Sequence, residues 1–131
     1  MTGLDTNVLL RILVDDGSPQ VAQARAFAVA EAKSGKLLYI DHIVLVEVIW
    51  VLESVFGYAR VQCAAVIESL LSNAAYRLED HEIVEAAWAK FRDTRADFSD
   101  CLIAARNAAA GCAYTATFDR AMHPLPTIKL L

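Results

Sequence analysis

Five acidic residues stand where a carboxylate could do chemistry. Asp5 closes the short apolar lead-in Thr2-Gly3-Leu4, and Glu47 interrupts the apolar run Ile43 to Leu52. Asp97 and Asp100 lie three residues apart at the entry to an apolar segment beginning at Cys101, so their side chains share one side of a first helical turn. Asp119 follows the stretch Ala113 to Thr117. Carboxylates brought together repel, and unpaired they raise one another's pKa. A hard divalent cation resolves the conflict, because Mg²⁺ and Mn²⁺ take oxygen ligands. Two such ions about 4 Å apart stabilise both the attacking and the leaving oxygen of a phosphodiester. This chemistry needs no Ser, Cys or His nucleophile, and His42, His81 and His123 have no metal-ligand spacing. Each acid alone also has an ordinary reading: Asp5 as a helix cap, Glu47 as a snorkelling or Arg-paired residue, Asp97 and Asp100 as capping acids, Asp119 as a turn acid. Only the joint pattern favours a metal.

The elements that must position these acids alternate between strand and helix. An apolar lead-in, an acid, a hydroxyl and an amide (Leu4-Asp5-Thr6-Asn7) read as a strand that turns into a helix, with Thr6 or Asn7 as the N-cap. Asp15-Asp16-Gly17 stops that helix after Val14. Ser18-Pro19 starts a second one, which runs to about Lys33. Leu37 to Ile40 is a short strand. His42 to Ser54 is a helix with Val44, Val48, Val51, Leu52 and Val55 on one stripe and Ile43, Glu47 and Trp50 on the adjacent face. Gly57 breaks it, and Tyr58 to Asn73 completes a helical hairpin. Tyr76 to Glu79 is a strand, and Asp80 caps a helix from His81 to about Arg92. A polar connection from Thr94 to Asp100 enters a helix from Cys101 to Ala110. Strands follow at Ala113 to Thr117 and Thr127 to Leu131, around a loop framed by Pro124 and Pro126.

The expected fold is therefore α/β, three layers α/β/α, with a mostly parallel central sheet of about five short strands. The first strand is expected at its centre. In such a sheet the strand carboxyl ends lie along one edge, where sites are found. Asp5, Asp97, Asp100 and Asp119 would converge there, and Glu47 joins them if its helix packs across that edge.

The totals bound the rest. A chain of 131 residues reads as one domain over residues 1–131, long enough to bury roughly 70% of its unfolded surface. The 56% apolar and 21% charged composition argues against disorder. Apolar stretches are too short to span a membrane, and the acidic start at Asp5 is unlike a secretory signal. Cys63, Cys101 and Cys112 are odd in number and lack a CxxC spacing, so they read as reduced core residues of a cytoplasmic protein. The net charge of −4 is unlike a nucleic-acid binder, which usually carries a basic face. Acids that hold cations would make that number misleading, since the ions bring positive charge to the site.

Four motifs in order, Leu4-Asp5-Thr6-Asn7-Val8-Leu9-Leu10, Glu47 within Val44 to Leu52, Ala96-Asp97-Phe98-Ser99-Asp100-Cys101-Leu102, and Thr117-Phe118-Asp119, resemble the PIN domain. In size and layout the chain is similar to the VapC-type toxins of prokaryotic toxin–antitoxin pairs. The resemblance implies a Mg²⁺- or Mn²⁺-dependent endoribonuclease with one or two ions. By position, Asp5, Glu47 and Asp100 match the three core acids and Asp119 the variable fourth. Asp97 matches a supporting acid, and Thr6 and Thr117 match hydroxyls that hold the site. The resemblance also implies a cognate antitoxin as partner and a homodimer. Two positions depart from the family pattern: His42 stands where Ser or Thr is more usual, which would alter substrate contacts, and Val48 where Leu is.

The expected chemistry is direct attack of a metal-activated water on an RNA phosphodiester, leaving a 5′-phosphate and a 3′-hydroxyl. Arg11, Arg95, Arg106 and Arg120 (with Arg92 near them) lie around the acidic motifs and would form a local basic rim for RNA phosphates. Three rivals are weaker. A non-catalytic adaptor of the same fold would have lost core acids, and all are present. A DNA-directed nuclease would carry extra helical segments and more basic charge. A phosphoacceptor domain would want an acid pair on the first strand, where Asp5 is single.

Overall fold

The computed structural model describes residues 1–131. In chain order the elements are β1 (Thr2–Gly3), α1 (Thr6–Leu13), α2 (Pro19–Lys33), β2 (Leu38–Ile40), α3 (His42–Ser54), α4 (Arg60–Ser72), β3 (Tyr76–Leu78), α5 (His81–Asp93), α6 (Phe98–Ala109), β4 (Thr115–Thr117) and β5 (Ile128–Leu130), with a 3₁₀ turn at Arg120–Met122 before β5. Every strand pairing is parallel. The fold is α/β, six helices packed about short parallel strands, as the alternation of elements implies.

The local signals account for most boundaries. Ser18 accepts a hydrogen bond from Gln20 N with Pro19 at the first helical position, and α2 starts there. Asp41 caps α3 by accepting from Val44 N at 2.8 Å. Gly57, at φ +69°, supplies the left-handed turn between α3 and α4. Asp80 sits at the start of α5 in the left-handed region, φ +42°, and its side chain makes no cap bond. Aspartate tolerates that conformation better than most residues.

Three expectations change. First, the strands form two ladders: β1-β2-β3, with β2 in the middle, and a separate pair β4-β5. β1 is therefore an edge of its ladder, not a strand hydrogen-bonded on both sides. It holds only two residues, Thr2 paired with Leu38 and Gly3 with Tyr39. The chain leaves it at once to begin α1. Second, the residue that caps α1 is Asp5 itself, accepting from Val8 N at 2.9 Å, so the helix starts at Thr6. Third, α6 begins at Phe98, three residues before the apolar run, which moves Asp100 from a connection into the first turn of the helix.

The core is continuous between the helices and strands. Leu9 of α1, Leu38 and Ile40 of β2, Leu45, Val48 and Leu52 of α3, and Ile67 of α4 are almost fully buried, as are Val84 and Phe91 of α5. On α3 the stripe Val44, Val48, Leu52 faces this core, while Ile43, Glu47 and Trp50 face solvent. Phe91 and Phe98 meet edge to face at 5.7 Å between centroids, locking the end of α5 to the start of α6. Arg60 secures the same corner. Its Nη2 donates to the carbonyl oxygens of Phe91 at 2.6 Å and Thr94 at 2.8 Å, and its guanidinium lies 4.1 Å from the Phe91 ring centroid. A cation on the last carbonyls of a helix is favourably placed. Together these contacts fix the short segment that delivers Asp97 and Asp100. Cys63 and Cys101 are buried as expected, but Cys112 is exposed beyond the end of α6; all three are free. No helix is long and apolar enough to cross a membrane.

Candidate metal centre

The candidate acids arrive from four elements and settle as two groups. In the first, Asp5 ends the β1 segment and Thr6 opens α1. The Thr6 hydroxyl donates to Glu47 Oε2 at 3.0 Å, so the start of α1 is tied to the exposed face of α3. Asp5 spends Oδ1 on the Val8 amide. Its second oxygen remains, so capping and metal binding are compatible uses of the same carboxylate.

In the second group, Asp100 in the first turn of α6 meets Asp119 after β4. Burial, then the negative charges of Asp97 and Asp119, and a hydrogen bond with Asp119, hold the Asp100 carboxyl above the ordinary carboxylate range. Asp119 is itself fixed from two sides. Its backbone N–H donates to the Thr117 hydroxyl at 2.9 Å, and its Oδ1 accepts from Ala121 N at 2.9 Å. Asp97 occupies the cap position of α6 without a side-chain cap bond, leaving both its oxygens uncommitted to the helix.

A groove runs between Glu47 of the first group and Asp97 beside the second. It has a volume of about 470 Å³ and is lined by Glu47, Trp50 and Glu53 from α3 and by Asp97 and Ser99 at the start of α6. Full convergence is not reached, however: no three Asp, Glu, His or Cys side chains stand close enough together to hold one ion directly. Asp5 accepts from its own helix, Glu47 from Thr6 and Asp119 from Ala121. The donor set still fits a hard cation. It is all oxygen, and Asp100 sits beside the negative charges of Asp97 and Asp119. Mg²⁺ keeps several waters, so carboxylates can serve it without closing a cage around it.

The arginines divide. Arg95 and Arg120 are exposed and form no ion pair. Arg11 stands in another groove with Asp5, but its guanidinium is paired with Asp16 and its Nε donates to Gln20 Oε1 at 3.2 Å. Arg92 is paired with Asp93 and lies over Trp88.

Arg106 is turned inward to His42. The His42 ring is only 2% exposed. Its Nε2 donates to the Glu79 carbonyl oxygen at 2.8 Å, and its Nδ1 accepts from Arg106 Nη1 at 2.9 Å. His42 thus ties α3 to β3 and α6 and is too deep to touch a substrate, contrary to the expectation from its unusual position. Removing Arg106 leaves a buried acceptor without its donor. Arg106→Ala should therefore cost about 1–3 kcal/mol in a urea titration, while Arg95→Ala, with no partner, should stay within about 0.5 kcal/mol. Equal costs would show that Arg106 is not structural.

Two residues near the candidate acids, Glu53 and Asn107, are not singled out by the sequence, and a third, Trp50, lies on the Glu47 face where its spacing places it. Glu53 lines the groove half-buried. Burial, first, and then the charge of Asp97 raise its carboxyl above the usual value, against the lowering effects of Arg60 and of a hydrogen bond with the Cys63 thiol. Trp50 is exposed three residues after Glu47, on the face the helical spacing gave it. Asn107 ties α6 to β4 by donating to the Thr115 hydroxyl at 3.0 Å, which helps hold the Asp119 turn near Asp100.

Comparison with curated proteins gives no match. Comparison with protein families gives one, the PIN domain, over residues 4–126. The matched span runs from the residue before Asp5, through Glu47, Asp97 and Asp100, to past Asp119. The chain belongs to the PIN domain family.

Proposed function

We propose that this protein is a metal-dependent endoribonuclease and the toxin component of a type II toxin–antitoxin pair, acting as one domain over residues 1–131. PIN domains are generally nucleases that use divalent metal ions. The observation that carries the reading here is the placing of the acids: Asp100 is partly buried beside the negative charges of Asp97 and Asp119, and Asp97 shares a groove with Glu47. Such an arrangement is costly unless a cation relieves it.

Asp5, Glu47, Asp100 and Asp119 would hold Mg²⁺ or Mn²⁺. The ion, when bound, supplies the Lewis acidity that lowers the pKa of an attacking water and steadies the leaving oxygen. The chain's own residues set the geometry. Thr6 fixes Glu47, Thr117 fixes Asp119, and Asp97 adds negative charge next to Asp100. Arg95 and Arg120 are the cations free to meet RNA phosphates. Antitoxin binding and homodimer formation draw support from exposed apolar side chains: Ile43, Val55, Val61 and Ile103 leave surface that a partner could cover.

The test is incubation of the purified protein with RNA and with single-stranded DNA, each in Mg²⁺, Mn²⁺ or EDTA. RNA cleavage that requires metal, spares DNA and leaves 5′-phosphate and 3′-hydroxyl ends is expected. A 2′,3′-cyclic phosphate product would sink direct water attack. For the toxin role, co-expression with the product of a small adjacent open reading frame should give a complex that no longer cleaves.

The Thr6 tether gives a finer test. Thr6→Val keeps the shape and removes the hydroxyl that orients Glu47. Turnover should fall about tenfold, the lower end for loss of a group that orients a metal ligand. Thermal stability should barely move, because the bond is exposed. Thr6→Ser should restore the rate, and a Thr6→Val enzyme as fast as the native one removes the tether from the mechanism.

A further inference from the structure

Trp50 is out of place as a folding residue. Its indole is 67% exposed, at the third position after Glu47 on α3, whose opposite face supplies the core. Three helical residues advance about 4.5 Å along the axis, so Trp50 stands on the same face as Glu47 and less than one turn away. Both residues line the same groove, with Glu53, Ser54, Asp97 and Ser99. No Lys or Arg lines it. A phosphate would find no cation there, whereas a nucleobase would find an aromatic face and carboxylate acceptors. Exposed aromatics beside a backbone-binding site are the usual platforms for single-stranded bases.

We infer that Trp50 is a stacking platform for the RNA base next to the scissile phosphate, and that the acceptors around it favour a base bearing an amino group over uracil. This rests on the ribonuclease reading above. Adenine, cytosine and guanine each present an exocyclic amino donor to a carboxylate. Uracil presents a single N–H between two carbonyl oxygens, which the acids Glu53 and Asp97 repel. Trp50 contributes by orienting the substrate while the carboxylate groups beside it do the chemistry, so it is a positioning residue.

Stacking on an aromatic side chain is worth about 1–3 kcal/mol per base, which converts to about 5- to 150-fold in kcat/KM. Trp50→Leu should lose that much on a short single-stranded RNA, and Trp50→Phe should recover most of it. Both variants should keep the native rise in melting temperature with Mn²⁺, which involves no nucleobase. A Trp88→Phe protein has Trp50 as its only tryptophan, since the chain has two. Its fluorescence in EDTA should be quenched by oligo(A) and oligo(C) and much less by oligo(U).

Native RNA cleavage by Trp50→Leu, or equal quenching by all three oligomers, overturns the inference and leaves the ribonuclease reading intact. Native cleavage accompanied by loss of self-association or of antitoxin binding would instead make Trp50 a protein contact. A native enzyme that cuts no RNA under any metal condition overturns both readings together.

Discussion

Asp100→Asn should lower metal-dependent RNA cleavage about a thousandfold, a barrier increase of about 4 kcal/mol, and should make the metal-free protein more stable at neutral pH. The two effects share a cause. Burial and the charges of Asp97 and Asp119 raise the Asp100 carboxyl in the folded chain. A raised folded pKa means that the native state holds the proton more tightly than the unfolded chain does. The resulting stability is fully present below the ordinary value of 3.8 and is lost as pH rises through the raised value. At neutral pH the ionised Asp100 is thus a liability, which a cation offsets. Asparagine cannot ionise, yet it can still donate to Asp119, so the variant should lose that fall in stability with pH. Urea titrations in EDTA across the acidic range read this directly. The native protein should lose stability through that window where Asp100→Asn does not, and Mg²⁺ or Mn²⁺ should raise the melting temperature of the native protein far more than that of the variant. Protons and metal compete for one group, so metal affinity should weaken as pH falls through the same window. A variant that cleaves RNA normally, or that responds to metal as the native chain does, removes Asp100 from the site.

The parts legible in the sequence are those governed by near neighbours. Pro19 behind Ser18 and the break at Gly57 set helix limits through contacts a few residues long: α2 begins at Pro19 and α3 ends at Ser54, just ahead of Gly57. What the sequence left open depends on contacts far apart in the chain. The β4–β5 pair is separate from the β1–β2–β3 ladder, a matter of which distant strands hydrogen-bond and not of any local signal. His42 looked like a surface residue near a site. It became a core residue because Glu79, 37 positions on, and Arg106, 64 positions on, supply partners for both ring nitrogens. The candidate site shows the same division. The acids were visible as acids at element junctions, and Asp100 lies close enough to Asp97 and Asp119 for their charges to raise its carboxyl. The cap bond of Asp5 to Val8 and the turn bond of Asp119 to Ala121 match the ordinary local readings of those acids, while the Thr6–Glu47 bond, across 41 positions, was not visible.

Asp5 offers the sharpest separation of folding from chemistry, because its two oxygens have different uses. Oδ1 caps α1 through the Val8 amide, and α1 is only eight residues long, so the cap secures a large share of its first-turn donors. Asparagine is as good a cap as aspartate, while alanine is a poor one costing about 1 kcal/mol. Asp5→Asn should therefore fold with native stability in EDTA, and Asp5→Ala should lose about 1 kcal/mol. If Asp5 were a cap and nothing more, Asp5→Asn would also cleave RNA at the native rate. The expected result is a loss of about a thousandfold, roughly 4 kcal/mol in barrier, in both variants. The amide keeps the hydrogen bond but brings no negative charge to a divalent ion. Melting curves in EDTA, paired with cleavage rates in Mg²⁺, place each variant on both axes. Stability lost only with alanine and activity lost with both assign the cap to Oδ1 and the metal to the charge. Activity that survives in Asp5→Asn returns the acid to its structural use and leaves Glu47, Asp100 and Asp119 as the remaining candidate ligands.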